Sequence, residues 1–428
     1  METLTLPKTK RIDGEVRLPG SKSISNRVLL LAALAEGEIT LENVLDSNDV
    51  NHMVAALETL GYDIVRDKEE RTVKLTGAGG PLPAGNFDLY LENAGTAVRS
   101  MTAAVCLGEG EYRIDGNERM RERPIAHLVD ALRELGVDVT YEITDGCPPL
   151  LIKANGIPGG KTSIDGTVSS QYLTALLISA PYAKGDLEIE IKDTLTSIPY
   201  IEMTIRLMEK FGVTVEHDNY QTFRIKAGQK YINPKNFFIE GDASTASYFL
   251  GAAALNGKVR VYGCGKDSIQ GEAGFAGVMG QMGAKVTYGD TYIDVESTGK
   301  LKGIDINMNT MTDTGMTLAV VASFAEGPTA IRDIYNWRVK ETERIVAVST
   351  ELRKAGATVE EGHDYIIVTP PENGIQPVSV HTYDDHRMAM AFSLLSFGSS
   401  EVTIEDPGCC RKTFPTYFDV FASVIETE

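Results

Sequence analysis

The chain switches between two hydrophobic periods in a fixed order, and the order repeats. A helical apolar run that ends in Gly and leads into alternating apolar residues occurs as "ALETLGYDI", "ALRELGVDV", "RLMEKFGVTV", "GVMGQMGAKV" and "ELRKAGATV", with the Gly at positions 61, 136, 212, 283 and 356. A small-residue helix followed by a period-two stretch occurs six times, from "LLLAALAEGEITLENV" to "AFSLLSFGSSEVTIED". Laid end to end, one repeat reads as strand, polar turn, first helix, strand, second helix with a Gly C-cap, and hairpin, a βαβαββ unit. Units of roughly 70 residues are too long for an ordinary solenoid, so three units closing around a common core in each of two lobes is the expected fold. The sixth repeat runs out of chain before its closing hairpin. The strand-like "ETLTL", which precedes the first repeat's strand "EVRLPG", is the candidate to complete it. This predicts lobes of residues 21–240 and 241–428, the second taking in residues 1–20.

Composition narrows the function. The 428 residues are 43% apolar, enough for two cores. The longest apolar run, "VLLLAALA" at Val28–Ala35, is shorter than the ~20 residues a membrane span needs, and the N-terminus lacks a signal-peptide core. A cytoplasmic protein is expected. Five cysteines without zinc or disulfide spacing read as reduced. A net charge of −19 argues against nucleic acid and anionic membrane as partners. Small anions then require pockets whose local basic residues overcome that field.

Such residues gather in the polar turns before the first helices: "PGSKSISNR", "NAGTAVRS", "TVSSQ", "GDASTAS", "TDTG" and "DDHR". Ser, Thr and Asp there serve as N-caps in any protein. Capping does not account for Lys22, Arg27 and Arg387, cations placed at helix starts where the macrodipole disfavours them. The second helices are expected to open with "RMRERPIAH", "WRVKETER" and "CCRKTFP", bringing Arg119, Arg121, Arg123, Lys340, Glu341, Arg344, Arg411 and Lys412 to further helix starts. Free backbone N–H groups with added cations suit phosphates and carboxylates, so pockets for at least two small polyanions are expected. Asp313 and Glu341 are acid–base candidates, and Glu341 also reads as an ordinary ion-pair partner for Arg344. Zinc, acyl-serine, Walker A and dinucleotide motifs are missing.

"LPGSKSISNR", "NAGTAVR", "RPIAHLVDALRELG", "DGTVSSQYLTALL", "EGDASTASYFLGAAA", "IYNWRVKETER", "YDDHRMAMAF" and "KTFPTYF" resemble the EPSP synthase family of enolpyruvyl transferases, end to end. The resemblance implies an α/β fold, an inside-out barrel of two lobes. Each lobe has three βαβαββ units in pseudo-threefold symmetry, with helices inside, sheets outside and substrates in the cleft between lobes. It implies transfer of the enolpyruvyl group of phosphoenolpyruvate to the 5-hydroxyl of shikimate 3-phosphate by a monomer, with no cofactor and no metal. By motif match, shikimate 3-phosphate would meet Lys22, Ser23, Arg27, Ser169, Ser170, Gln171, Ser197, Tyr200, Asp313, Asn336 and Lys340. Phosphoenolpyruvate would meet Lys22, Asn93, Gly95, Thr96, Arg123, Gln171, Glu341, Arg344, Arg387 and Lys412. Lys22, Asp313 and Glu341 would move protons, Asp313 as base and Glu341 or Lys22 as acid. The fourth repeat, whose turn "GDASTAS" has no basic residue, would be mainly structural.

The chain departs from the family pattern at Ser100, where Pro is usual, at Glu92 before Asn93, and at Ile198, where a basic residue is common. Loss of the proline is expected to shift the Gly95–Thr96 turn and weaken inhibition by glyphosate. The related transferase acting on UDP-N-acetylglucosamine carries a reactive Cys in a G-C-x-x-G-x-R-P loop. The corresponding "DGNERMRERP" has none. A catalytically silent repeat protein is the remaining alternative.

Overall fold

The computed structural model describes residues 2–167, 169–398 and 401–428. Val168 of the turn "TVSSQ" and Ser399 and Ser400 of the sixth repeat lie outside the described residues. The chain divides into two compact units, Gly20–Ile239 and Met1–Pro19 with Glu240–Glu428. They are called the N-terminal and C-terminal units below.

Among the described residues each unit carries three sheets. In the second repeat Gly85–Tyr90 pairs parallel with Glu109–Asp115, which pairs antiparallel with Leu150–Asn155, which in turn pairs antiparallel with Asp138–Tyr141. A parallel pair extended by an antiparallel hairpin recurs around Glu36–Glu42, Leu187–Lys192, Gly257–Tyr262 and Thr329–Arg332. In the sixth repeat Val378–Val380 runs parallel to Val402–Glu405, and Thr3–Leu6 lies antiparallel on the far side of Val402–Glu405.

The five repeat glycines have φ between 80° and 121°, a conformation open to Gly at little cost. In each case the residue after the Gly donates its N–H back to the last helical turn, as Tyr62 does to the Leu57 carbonyl and Val137 to Leu132. This six-to-one bond closes the helix and turns the chain into the hairpin.

The strand assignment of two repeats needs correction. "EVRLPG", read as the leading strand of the first repeat, belongs to Thr9–Arg17, which pairs parallel with Gly257–Tyr262 of the fourth repeat. Asn236–Phe238, which precedes the fourth repeat, pairs parallel with Glu36–Glu42 of the first. The leading strands of repeats one and four are exchanged. Both are short alternating segments, and the pattern that makes a strand does not name its partner.

The first helices of the repeats are buried on all sides. Every residue of Gly95–Val105 and Gly315–Ala322 is buried, as is Ile24 through Leu34 of Lys22–Leu34. Small and apolar side chains around the whole circumference allow this. Gly95–Val105 packs on Lys22–Leu34 and Ser170–Ser179, and Gly315–Ala322 packs on Ala243–Leu255 and His386–Phe392. Second helices such as Ala126–Glu134 bury one face only. The polar turns are thereby held at the ends of rigid, buried helices.

Candidate active site

In the N-terminal unit the Ser21 hydroxyl caps Lys22–Leu34 by accepting from the Ile24 N–H. Lys22 therefore becomes the first helical residue, and its Nζ lies 3.3 Å from the buried carboxylate of Asp49, in the first turn of Asn48–Thr59. Arg27 sits in the second turn, not the first as expected. It is 2% exposed and donates from Nε to Thr204 Oγ1 at 2.9 Å and from Nη1 to the Ser23 carbonyl at 2.9 Å. A third bond runs from Nη2 to Thr174 Oγ1 at 3.4 Å, and the Tyr200 ring centroid is 5.9 Å from Cζ.

Those contacts join three helices. Thr174 lies on Ser170–Ser179, where the Ser169 hydroxyl caps the helix by accepting from the Gln171 N–H at 3.2 Å. Thr204 and Tyr200 lie on Ile198–Lys210, which follows Ser197 in left-handed conformation at φ 55°. Ser23, Arg27, Ser169, Ser170, Gln171, Ser197 and Tyr200 are thus carried by helices that meet at one arginine.

A second group forms around Arg123, which is 5% exposed. Its Nη1 donates to Asn93 Oδ1 at 2.8 Å and to the Asn93 carbonyl at 3.2 Å. Gly95 opens Gly95–Val105 without a side-chain cap, and a Cβ there would lie 2.7 Å from Arg123 Nη2, so only glycine admits the guanidinium so close to the helix start. The buried Arg123 Nε has no hydrogen-bond partner among the described residues. A buried donor of this kind costs free energy until an acceptor meets it. Gln171 Nε2 donates to Thr96 Oγ1 at 3.4 Å, linking this group to the Ser169 helix.

The C-terminal unit holds a denser network. Arg344, 1% exposed, opens Arg344–Lys354 and spreads its guanidinium over three carboxylates. Nε donates to Asp385 Oδ2 at 2.7 Å, Nη1 to Asp313 Oδ1 at 3.1 Å and Nη2 to Glu341 Oε2 at 2.8 Å. Arg387 Nη2 donates to the other Asp313 oxygen at 2.8 Å. Lys340 Nζ stands 3.7 Å from Asp313, and Lys412 Nζ 3.9 Å from Glu341. Asn336 Nδ2 donates to Thr312 Oγ1 at 3.1 Å, next to Asp313 in sequence.

Electrostatics set the states of these groups. Burial pushes the Asp313 carboxyl upward, but the charges of Arg387, Lys340 and Arg344 outweigh it and hold the group well below the usual carboxylate range. Burial works against the Arg344 cation, yet Asp385, Glu341 and Asp313 raise its pKa further. Both groups are charged at neutral pH.

The expected helix starts need correction in three places. Second helices begin at Ala126, Arg344 and Tyr417, each preceded by a short 3₁₀ segment: Met120–Glu122, Tyr335–Val339 and Pro407–Lys412. Of the eight residues assigned to those starts, Arg344 alone is the first residue of its helix; the others lie in the 3₁₀ segments or beside them. Asp313 likewise lies in the 3₁₀ segment Asn309–Thr314 ahead of Gly315–Ala322. The sequence reading also missed Asp49, Thr174, Thr204 and Asp385. Asp385 was visible in "DDHR" only as a cap, and it does cap its helix, with Oδ1 accepting from the Arg387 N–H at 2.9 Å. Its second oxygen serves Arg344.

The described residues contain no group of three or more His, Cys, Asp or Glu side chains able to hold a metal, and no helix of the described residues is long and apolar enough to cross a membrane.

Similarity to known proteins places the chain in one family. The family pattern described as EPSP synthase (3-phosphoshikimate 1-carboxyvinyltransferase) matches residues 6–421. A 3-phosphoshikimate 1-carboxyvinyltransferase of Tolumonas auensis is 55% identical over 427 residues, covering 99% of both chains. One of Aeromonas salmonicida is 56% identical over 426 residues, again covering 99% of both. The solved structure of an EPSP synthase from Acinetobacter baumannii superposes with a TM-score of 0.83 at 24% identity, covering 99% of this chain and 98% of that one, and so shares the fold. With the motifs present from end to end, the chain belongs to the EPSP synthase family.

Proposed function

We propose that the two clusters divide the work of 3-phosphoshikimate 1-carboxyvinyl transfer, the N-terminal unit mainly holding anions and the C-terminal unit mainly moving protons. The chain is a transferase of the shikimate pathway, on the way to chorismate and the aromatic amino acids. Its substrates are shikimate 3-phosphate and phosphoenolpyruvate. Arg27, Ser23, Tyr200 and the serines at 169, 170 and 197 receive the first, together with Gln171, Asn336 and Lys340. Lys22, Arg123, Arg344, Arg387 and Lys412, with Asn93, Gly95, Thr96 and Gln171, receive the second. On this reading the enzyme acts as a monomer in the cytoplasm.

In the addition step the 5-hydroxyl oxygen bonds to carbon 2 of phosphoenolpyruvate, its proton leaves to a base, and carbon 3 gains a proton. In the elimination step the carbon 2–phosphate bond breaks, carbon 3 gives up a proton, and the double bond returns. Asp313 takes the hydroxyl proton, and Glu341 or Lys22 serves carbon 3. The observation that carries this reading is the Asp313 carboxylate shared among Arg344, Arg387 and Lys340. So clamped, it is a weak base. Substrate carboxylate and phosphate groups placed against the same cations draw them off, raising the basicity of Asp313 when a substrate is present. The cations also stabilise departing phosphate.

The test is phosphate release from phosphoenolpyruvate. Release that depends on shikimate 3-phosphate supports the reading; release with UDP-N-acetylglucosamine instead, or with neither acceptor, refutes it.

A further inference from the structure

Glu92 has φ 46°, in the left-handed region that a side chain with a Cβ enters at a cost. Asn and Asp offset that cost through local hydrogen bonds, and Glu is one carbon too long for the same device. Two contacts hold it there. The Asn117 N–H donates to the Glu92 carbonyl at 3.2 Å, and the Glu92 carboxylate Oε2 meets His52 Nε2 at 2.9 Å. The imidazole in turn stands edge-on to Tyr90, with centroids 6.1 Å apart at 73°.

Both ends of this contact lead to the site. His52 lies one turn along Asn48–Thr59 from Asp49, the partner of Lys22. Glu92 is joined directly to Asn93, whose carbonyl and side-chain oxygen both accept from Arg123. Relaxing φ at Glu92 rotates the plane carrying the Asn93 N–H and moves the start of Gly95–Val105 against Arg123, where Gly95 already leaves no room for a methyl group.

We infer that His52 and Glu92 form a positioning latch: their side-chain contact keeps a strained non-glycine residue in the backbone shape that seats Asn93, Gly95 and Arg123 around phosphoenolpyruvate. The inference rests on reading this turn as part of the phosphoenolpyruvate site. Neither residue touches substrate in this scheme; they act through the backbone.

The strain account makes a specific demand. His52→Ala removes the anchor and leaves the strain, whereas His52→Ala/Glu92→Gly removes both, because glycine holds a positive φ unaided. With a half-buried contact no stronger than a surface pair, His52→Ala is expected to raise KM for phosphoenolpyruvate about three-fold, with kcat and KM for shikimate 3-phosphate unchanged. The double variant is expected to return KM to the parent value. An unchanged KM in His52→Ala overturns the latch, and so does a double variant as impaired as the single one. Arg123→Gln, measured alongside, separates the two layers. If it leaves KM for phosphoenolpyruvate unchanged, the site reading fails; if it raises that KM while His52→Ala does not, only the latch fails.

Discussion

Arg27 and Arg344 are both buried arginines near helix starts, one in each unit, and they are held in different ways. Arg27 donates to two threonine hydroxyls and a backbone carbonyl. Acceptors fixed on three helices orient the guanidinium, which suits a residue that must meet an anion in one place. Arg344 donates to three carboxylates that also bind Arg387 and approach Lys340 and Lys412. There the charge is spent locally on keeping Asp313 ionised and on holding Glu341 and Asp385 in place. The two cations differ in use: Arg27 serves recognition, and Arg344 adds to recognition the control of proton-transfer groups.

The contrast is broken most sharply at Glu341. Its replacement by Ala is expected to cut kcat by about 10²–10⁴-fold, the range of a lost acid–base group, while shikimate 3-phosphate still binds; steady-state rates with calorimetry check both.

Arg344→Ala is expected to lower stability by about 3–5 kcal/mol, because it strands buried carboxylates. Denaturant melts measure this. The pH dependence adds a signature. A carboxyl whose folded pKa lies below its unfolded value contributes stability that is present above about pH 4 and lost as the pH falls further. Asp313 is such a group, so the wild type should lose stability toward acid more steeply than Arg344→Ala.

Arg27→Gln is expected to weaken shikimate 3-phosphate binding about ten- to hundred-fold, the scale of a hydrogen bond to a charged group, with little change in melting temperature. A loss of stability like that of Arg344→Ala would erase the distinction between the two arginines.

The smallest effect is reserved for Ser100, the sixth residue of Gly95–Val105 and 2% exposed. A proline there crowds the carbonyl of Thr96, four residues back, rather than fixing the helix start. Ser100→Pro is expected to lower the glyphosate inhibition constant a few-fold while KM for phosphoenolpyruvate changes less. An unchanged inhibition constant removes Ser100 from the account.

Much of this was legible in the sequence because it depends on local chemistry. The repeat glycines announce themselves, since a helix that turns left-handed at its end needs one. Lys22 and Arg387 stand out because cations at those places contradict local preference. Three features resist such reading. The exchanged strands Thr9–Arg17 and Asn236–Phe238 owe their partners to tertiary pairing. The 3₁₀ segments before Ala126, Arg344 and Tyr417 are too short to impose a period of their own. Asp385 passes for a cap because it is one, and its second oxygen's role appears only once Arg344 is in place.

The central claim, that Asp313 serves the reaction rather than recognition, is tested most directly by titrating Asp313→Ala with shikimate 3-phosphate and assaying turnover on the same preparation. The account predicts that binding survives within a few-fold while turnover is lost. Near-normal turnover in the purified variant would contradict it.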